Sequence, residues 1–567
     1  MRALKILPVA LALIAMPPAL SAQQSTTLTQ AEVVDKIIAQ EQVEMQSLRQ
    51  YSPLVETYIQ IRRMDKRVGV APGGDKYFLG RAMLANGVEL EPLTQGTGTK
   101  HNKLFGGLAN FFSMEFDPRG FLQMIYLDMN GFDRSHYKFS YLRREFLGEV
   151  RCLVFDVDPR VKSEKGRFVG RIWVEDQDFH IVRFNGTYNG SSKTSYYFSF
   201  DSWRQNAGKN EWLPAFIFSE EGNAQYSSAK SQISPFRAQT RLWGYALGHV
   251  REEQELSRVL VETPVRDQTE NANDYSPLQA ERSWSRQAED NVTASLERLG
   301  LMAPYGEVDK ILEAVVNNLE VTNDLDIQPE VRCRVLMTST LESYTMGHTI
   351  VLSRGLVDVL PDEASLAAIL AHELGHVVLG SRMDTQFGFL NRLRFDEKDT
   401  FRHFGFSRPP EEELAANQKG SELLMKSPYK DQFATAQLFL QALHNRSKEI
   451  PNLISPHLGD SIPTNWSIAS GAPSAQPQNG KTANVPATTS IVALPLGGRI
   501  KVEPFNDQLR LLKSKSAGMV AEYEKMPFEV TPFILYLTRQ GHSPSAEAPE
   551  AVSAKSDTDA NVPDTKP

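Results

Sequence analysis

The stretch "AILAHELGHVVLG", residues 368–380, sets two histidines and a glutamate inside an apolar run. Asp362 stands upstream as an N-cap, Glu363 falls in the first turn, and no proline follows until well beyond the run. The pattern predicts a single helix. On it His372 and His376 are i and i+4 and point the same way, with Glu373 turned by roughly 100° from His372. Leu366, Ile369, Leu370, Leu374, Val377 and Val378 cover the other faces, so the helix is buried. Gly375 leaves its backbone open to a neighbouring segment. Two imidazoles and a carboxylate in such a place need compensation. A zinc ion supplies it, because zinc takes imidazole and carboxylate ligands and keeps a position for water. The bound water's pKa falls to roughly 7, and Glu373 can take its proton. The competing reading is a core cluster satisfied by hydrogen bonds alone. A chance HExxH in a chain of this length has a probability of roughly one per cent, and the match here falls on a buried helix.

Two histidines leave zinc short of a ligand. An extended metzincin pattern would need glycine and histidine three and six residues after His376, where this chain has Leu379 and Arg382. Two glutamates are candidates instead. Glu397 lies in "NRLRFDEKDT", among Arg394, Asp396, Lys398 and Asp399, with little apolar periodicity. Glu413 lies in "SRPPEEELAANQKGSELLMKSP", on a helix opened by Pro409-Pro410 and closed by Ser427-Pro428. Leu414, Leu423 and Leu424 can anchor that helix, so Glu413 is the expected third ligand. The helix dipole favours Glu411, Glu412 and Glu413 alike in a first turn, and that reading does not exclude a ligand among them.

Working outward, the chain has 567 residues, is 41% hydrophobic and 23% charged, and carries a formal charge of −8. The mild acidic balance and the lack of a long basic tract argue against nucleic acid as a partner. Cys152 and Cys333 read as two buried free thiols in different domains, the alternative being a disulfide between them. "MRALKILPVALALIAMPPALSAQQ" has a short basic region, an apolar run and small residues at Ala19, Ser21 and Ala22. It reads as a signal peptide cleaved near residue 22, the alternative being an uncleaved anchor.

"TQAEVVDKIIAQEQVEMQSL" has helical spacing with Thr29 and Glu32 placed as a capping box. From about residue 52 to 250 the texture changes to short alternating runs. "RFVGRIWVED" and "FHIVRFNGTY" pair across a turn at Gln177-Asp178, and "TSYYFSFDSW" with "EWLPAFIFSE" forms another hairpin. Strand after strand with almost no helix between predicts a curved antiparallel sheet with one face needing cover. Further on, "VRCRVLMTS" and "HTIVLSRGLV" read as strands, with helices to about residue 447.

The fold class expected is therefore multidomain α+β: an N-terminal curved antiparallel β-sheet domain, then a mainly helical HExxH domain with a small sheet. The boundaries read as a signal peptide (1–22), a β-rich domain with its N-terminal helix (23–265) and a linker (266–290). The HExxH domain (291–460), a second linker (461–490), a folded extension (491–541) and a disordered tail (542–567) follow. The β domain should be separable from the rest.

Residues 290–460 resemble a known family. "HTIVLSRGLV", "LAAILAHELGH" and "EEELAANQKGSELL" are similar to the gluzincin zinc metallopeptidases of the CAAX prenyl endopeptidase/HtpX/BepA family. The resemblance implies zinc held by His372, His376 and Glu413, Glu373 as catalytic base, and protein or peptide substrates cleaved by attack of a zinc-bound water. It also implies that His457, in "ISPHLGD", helps to polarise the scissile carbonyl, although a lone loop histidine is more often a bystander. Two departures stand out: Asn417 replaces the family's aspartate, and "LESYTMGH" stands where Asn-Ala is usual. A strand around His348 to Leu352 is expected at the sheet edge, to hold substrate by strand addition.

Residues 150–220 resemble the LolA/RseB-like half-barrel of lipoprotein carriers, through "GEVRCLVFDVDP", "FSFDSWR" and "WLPAFIF". That resemblance implies a lipid or lipoprotein ligand of the β domain; the equal alternative is a β domain that only packs against its neighbour. The function expected is a zinc-dependent metalloendopeptidase of the cell envelope acting on exported or misfolded proteins, periplasmic or extracellular. The alternative is a lipid- or lipoprotein-binding envelope protein with a structural zinc site. The sequence says nothing of oligomeric state.

Overall fold

The computed structural model of the chain describes residues 28–65, 69–85, 87–93, 116–129, 131–190, 197–208, 211–222, 235–248, 276–381, 388, 405–454, 458, 493–512 and 527–539. The signal peptide, Glu397, His457, the second linker and the tail lie outside them.

Helix α1 (Gln30–Leu48) opens with the expected capping box: the Glu32 N–H donates to Thr29 Oγ1, and the Thr29 N–H donates to Glu32 Oε2. Ten strands follow, with the short helix α2 (Pro118–Gln123) between the third and fourth. They are β1 (Leu54–Asp65), β2 (Gly69–Met83), β3 (Glu89–Pro92), β4 (Tyr137–Leu147), β5 (Val150–Pro159) and β6 (Phe168–Glu175). Next come β7 (Ile181–Tyr188), β8 (Phe200–Gly208), β9 (Glu211–Glu221) and β10 (Phe236–Trp243). They make one antiparallel sheet in the order β3-β2-β1-β10-β9-β8-β7-β6-β5-β4. Almost every neighbour in space is a neighbour in sequence, and the β1–β10 pairing joins the two meanders.

The period-2 alternation of strands divides this sheet between two cores. Val55, Ile59, Phe155, Ile172 and Val174 face the side covered by Val34, Ile37 and Ile38 of α1 and by Phe121 and Leu122 of α2. Their strand neighbours Leu54, Tyr58, Val154 and Trp173 face the other way, into a core shared with the C-terminal half. Both faces are therefore packed. Beneath α1, Arg204 donates to both oxygens of buried Glu41, at 2.7 and 2.8 Å. Cys152 and Cys333 are both buried and unpaired, and burial pushes both thiols up, Cys152 to about 12.

The C-terminal half starts earlier than the composition suggests. The segment expected as a linker to residue 290 is helical from Pro277: α3 (Pro277–Arg298) is opened by a capping box between Ser276 and Gln279. Its first turns face solvent, so they carry no apolar period to read. Then come α4 (Glu307–Thr322), the strands β11 (Arg332–Leu336), β12 (Ser343–Met346) and β13 (Thr349–Ser353), and helices α5 (Arg354–Val359) and α6 (Glu363–Val378). Helices α7 (Pro410–Met425), α8 (Phe433–Arg446) and α9 (Pro451–Ile454) follow. The small sheet has the order β11-β13-β12, with β11 parallel and β12 antiparallel to β13. This corrects one expectation: residues 349–353 form the centre of that sheet, and β12 lies at one of its two edges. A strand that pairs on both sides has no backbone groups to offer a substrate.

The extension near the C-terminus contributes the hairpin β14 (Ile500–Val502) and β15 (Leu509–Leu511). Beyond it, residues 527–539 lie against the outer face of the large sheet. There Gln60 donates to the Phe528 carbonyl and accepts from the Val530 N–H, at 2.6 and 2.8 Å. Where the halves meet, Glu56 of β1 accepts from Arg354 of α5 at 2.8 Å, both groups being almost wholly buried. Asp75 of β2 accepts from the N–H groups of Asn452 and Leu453 in α9. Among the described residues, no helix is long and apolar enough to cross a membrane.

Candidate metal centre

Asp362 caps α6 as expected, accepting from the Ser365 N–H at 2.8 Å. Every residue from Ala364 to Val377 is buried, so the two histidines and Glu373 are held in a dry helix. Helix α7 crosses α6 at two glycines. A Cβ on Gly375 would stand 2.6 Å from the Ala416 carbonyl oxygen, and one on Gly420 would stand 2.7 Å from that of Ala371. This close approach brings Glu413, in the first turn of α7, over the two imidazoles. Leu423, Leu424, Ala416 and Gly420 bury the α7 face as anchors, whereas Leu414, expected among them, is 60% exposed. It lies beside Glu413 but one position round the helix, on the solvent side.

His372 Nε2 lies 3.4 Å from Glu413 Oε2, and His376 Nε2 lies 3.1 Å from Glu413 Oε1. The imidazole rings are nearly perpendicular at 88°, and one ligand atom from each of the three residues falls within 4.8 Å of the others. Among the described residues this is the one group of three or more histidine, cysteine or acidic side chains so arranged. His376 Nε2 and Glu413 Oε1 are both buried, and neither makes a hydrogen bond despite their separation. Two buried polar atoms left without a hydrogen-bond partner are what a cation between them would relieve. Ligands roughly 2.0–2.1 Å from a tetrahedral ion stand about 3.3 Å from each other, close to the two separations found. The residues fit zinc. Burial pushes the Glu413 carboxyl up, but His372 and His376 beside it outweigh burial and bring it down to about 2, so it is a carboxylate.

Glu373 is held by β12. Ser343 Oγ donates to Glu373 Oε1 at 2.6 Å and Thr345 Oγ1 to Oε2 at 2.7 Å. These hydroxyls were not singled out from the sequence; the signal was their i, i+2 spacing in "SYT", which sends both to one face of a strand. Glu289 of α3 is a second such residue. It is buried and accepts from the His348 N–H and from Thr349 Oγ1, both at 3.1 Å, pinning the β12–β13 turn. Around the centre, His376 Nδ1 lies 3.4 Å from Ser381 Oγ. Asn417, which replaces an acid in the resemblance, has a buried Oδ1 that makes no hydrogen bond among the described residues.

Residues 306–395 match the model of Peptidase family M48. That family consists of metallopeptidases, and the matched segment holds α4, the three-stranded sheet, α5 and all of α6 with His372, Glu373 and His376. Glu413 lies beyond the M48 segment and is brought to its histidines by the α6–α7 crossing. The ten-stranded sheet also lies outside the M48 match. No curated protein matches the chain.

Proposed function

We propose that the chain is a zinc-dependent metalloendopeptidase of the cell envelope that cleaves exported or misfolded proteins. The observation that carries this reading is the convergence of His372, His376 and Glu413 on one point, with a spare carboxylate, Glu373, on the same helix. A purely structural zinc site has no use for that fourth group. His372, His376 and Glu413 would hold the ion, which when bound supplies a Lewis acid that acidifies water and polarises a carbonyl. Glu373 takes the proton of the attacking water and returns it to the leaving amine.

A peptide would be held at β12. The Glu342 carbonyl accepts from the Ser353 N–H, which fixes the alternation of the β12–β13 ladder. Ser343 and Thr345 then turn their backbone groups away from β13. No strand of the described residues pairs with β12 on that side. Its one described partner there is Arg408, whose Nη2 donates to the Thr345 carbonyl at 3.1 Å. An extended substrate adding to this edge would lie alongside the residues that hold the base. The basic and apolar opening of the sequence supports export, and the reading of misfolded clients rests on the family resemblance.

The second reading, a lipid or lipoprotein carrier with a structural zinc site, rests on the half-barrel resemblance. An acyl chain needs an apolar cavity, and α1 and α2 already pack against the inner face of the sheet. Zinc analysis with digestion of an unfolded protein such as casein, on wild type and Glu373→Gln, tests the choice. The peptidase reading expects one zinc per chain in both and cleavage in wild type alone. Zinc without cleavage in wild type leaves the carrier reading.

A further inference from the structure

The β12 residues that offer backbone to a substrate are the same two that hold Glu373. Strand geometry links these roles, because Ser343 and Thr345 are two apart and share both a backbone direction and a side-chain face. One hydroxyl takes each carboxylate oxygen, at 2.6 and 2.7 Å, and Thr345 Oγ1 also lies 3.3 Å from the Glu373 backbone carbonyl. Ser343, Thr345 and Glu373 are each at most 2% exposed, so water does not compete for these bonds. A carboxylate has about four acceptor sites, and one donor on each oxygen leaves room for a proton. The carboxylate plane is thus fixed without being used up.

Resting on the peptidase reading, we propose that Ser343 and Thr345 are positioning residues: their hydroxyls aim the catalytic base from the strand that receives the substrate. The supports on either side of β12 agree with this. Glu289 pins the turn after it through His348 and Thr349. Glu342, just before it, is wholly buried and accepts from Thr340 Oγ1 at 2.6 Å and from the Leu458 N–H at 3.0 Å. Tyr344 stacks on Phe406 with rings 4.7 Å apart and 5° from parallel. A strand fixed at both ends and in the middle is a rigid mount, and a base displaced by about 1 Å loses roughly a hundredfold in rate.

The test uses the full zinc-loaded chain carrying Ser343→Ala with Thr345→Val, which removes both hydroxyls at nearly constant volume. Four quantities are read: kcat and KM on an internally quenched peptide, zinc per chain, melting temperature, and the affinity of a peptidyl hydroxamate by calorimetry. The hydroxamate N–OH needs a carboxylate partner where Glu373 stands, so it reports the aim of that group without turnover. We expect kcat to fall ten- to a hundredfold, KM to stay within twofold, zinc to remain at one per chain and hydroxamate binding to weaken about tenfold. Thr345→Ser, which keeps a hydroxyl, should lose less than threefold. A folded, zinc-loaded double variant with wild-type kcat and hydroxamate affinity overturns the assignment and leaves the peptidase reading intact. Wild type that neither cleaves peptide nor binds hydroxamate overturns both. Should the double variant fail to fold, Thr345→Val alone carries the same comparison.

Discussion

Gly375 of α6 and Gly420 of α7 give the proposed metal centre its geometry without supplying a ligand to it. At each, a Cβ would come within 2.7 Å of a carbonyl oxygen of the opposite helix, Ala416 for Gly375 and Ala371 for Gly420. A backbone oxygen cannot rotate out of the way as a side chain can, so an alanine at either place must part the helices. Overpacking of this kind costs about 1–3 kcal/mol. Gly420→Ala should lower the melting temperature and also weaken zinc at least tenfold, because α7 carries Glu413 while α6 carries both histidines. Calorimetric unfolding and competition with a chromophoric chelator read the two effects. A loss of stability with unchanged zinc affinity would separate the crossing from the centre.

The third ligand can be settled by comparing two carboxylates. Glu413 is poised 3.1 and 3.4 Å from the imidazoles. Glu413→Gln should therefore lose zinc during dialysis against a mild chelator, with affinity falling by several orders of magnitude. Glu397→Gln should keep its zinc and its activity. His372→Ala and His376→Ala should each lose both. Metal content by atomic emission decides the matter, and retention by Glu413→Gln with loss by Glu397→Gln would reverse the ligand assignment.

The joint between the halves should behave as part of the core. Glu56 accepts from Tyr77 Oη, Ser339 Oγ and Arg354 in a place almost without solvent. Arg354→Met removes that carboxylate's direct ion partner, and breaking a buried pair from one side costs roughly 3–5 kcal/mol. Glu56→Gln combined with Arg354→Met removes both charges and should recover at least half of the loss. Urea unfolding of the three variants measures it. An isolated fragment ending at residue 265 would expose Trp203, Trp212, Phe216 and Trp243 on the sheet face that the C-terminal half covers, and should aggregate.

Asp507 gives the protein a stability term with a defined pH dependence. Burial pushes its carboxyl from 3.8 up to about 7, against the Gly244 N–H, which donates to it at 2.7 Å and lowers it. A carboxyl raised in the folded state is neutral in both states below pH 3.8. Its favourable contribution is lost as pH rises toward 7, and the cost of the buried charge persists above that. Asp507→Asn keeps an acceptor for Gly244 and removes the charge. It should be nearly neutral at pH 4 and stabilise by about 2–4 kcal/mol at pH 8, read as a melting-temperature difference that grows with pH. An equal difference at both pH values would mean that the side chain titrates normally.

The residues themselves specified the local features of this protein, because those depend on neighbours along the chain. The 3.6-residue period put His372 and His376 on one face of a capped helix. The capping box of Thr29 with Glu32 and the hairpin turning at Gln177-Asp178 likewise follow from spacing alone. Glu413 was legible as a candidate since Pro409-Pro410 opens a helix whose Leu423 and Leu424 are buried. What periodicity could not supply was every decision made by contact between distant segments. That β12, a four-residue strand, lies at an edge and β13 at the centre depends on β11 pairing parallel to β13 across the hairpin. The first turns of α3 face solvent and lack an apolar stripe, so no period marks them. The hold of Ser343 and Thr345 on Glu373 links residues 28 and 30 apart on different elements. The second face of the large sheet found its cover in the C-terminal half, where Arg354 reaches back 298 residues to Glu56. Side-chain alternation marks a face as buried but carries no information about its partner; packing and the pairing of buried charge decide that, and they exist only in the folded chain.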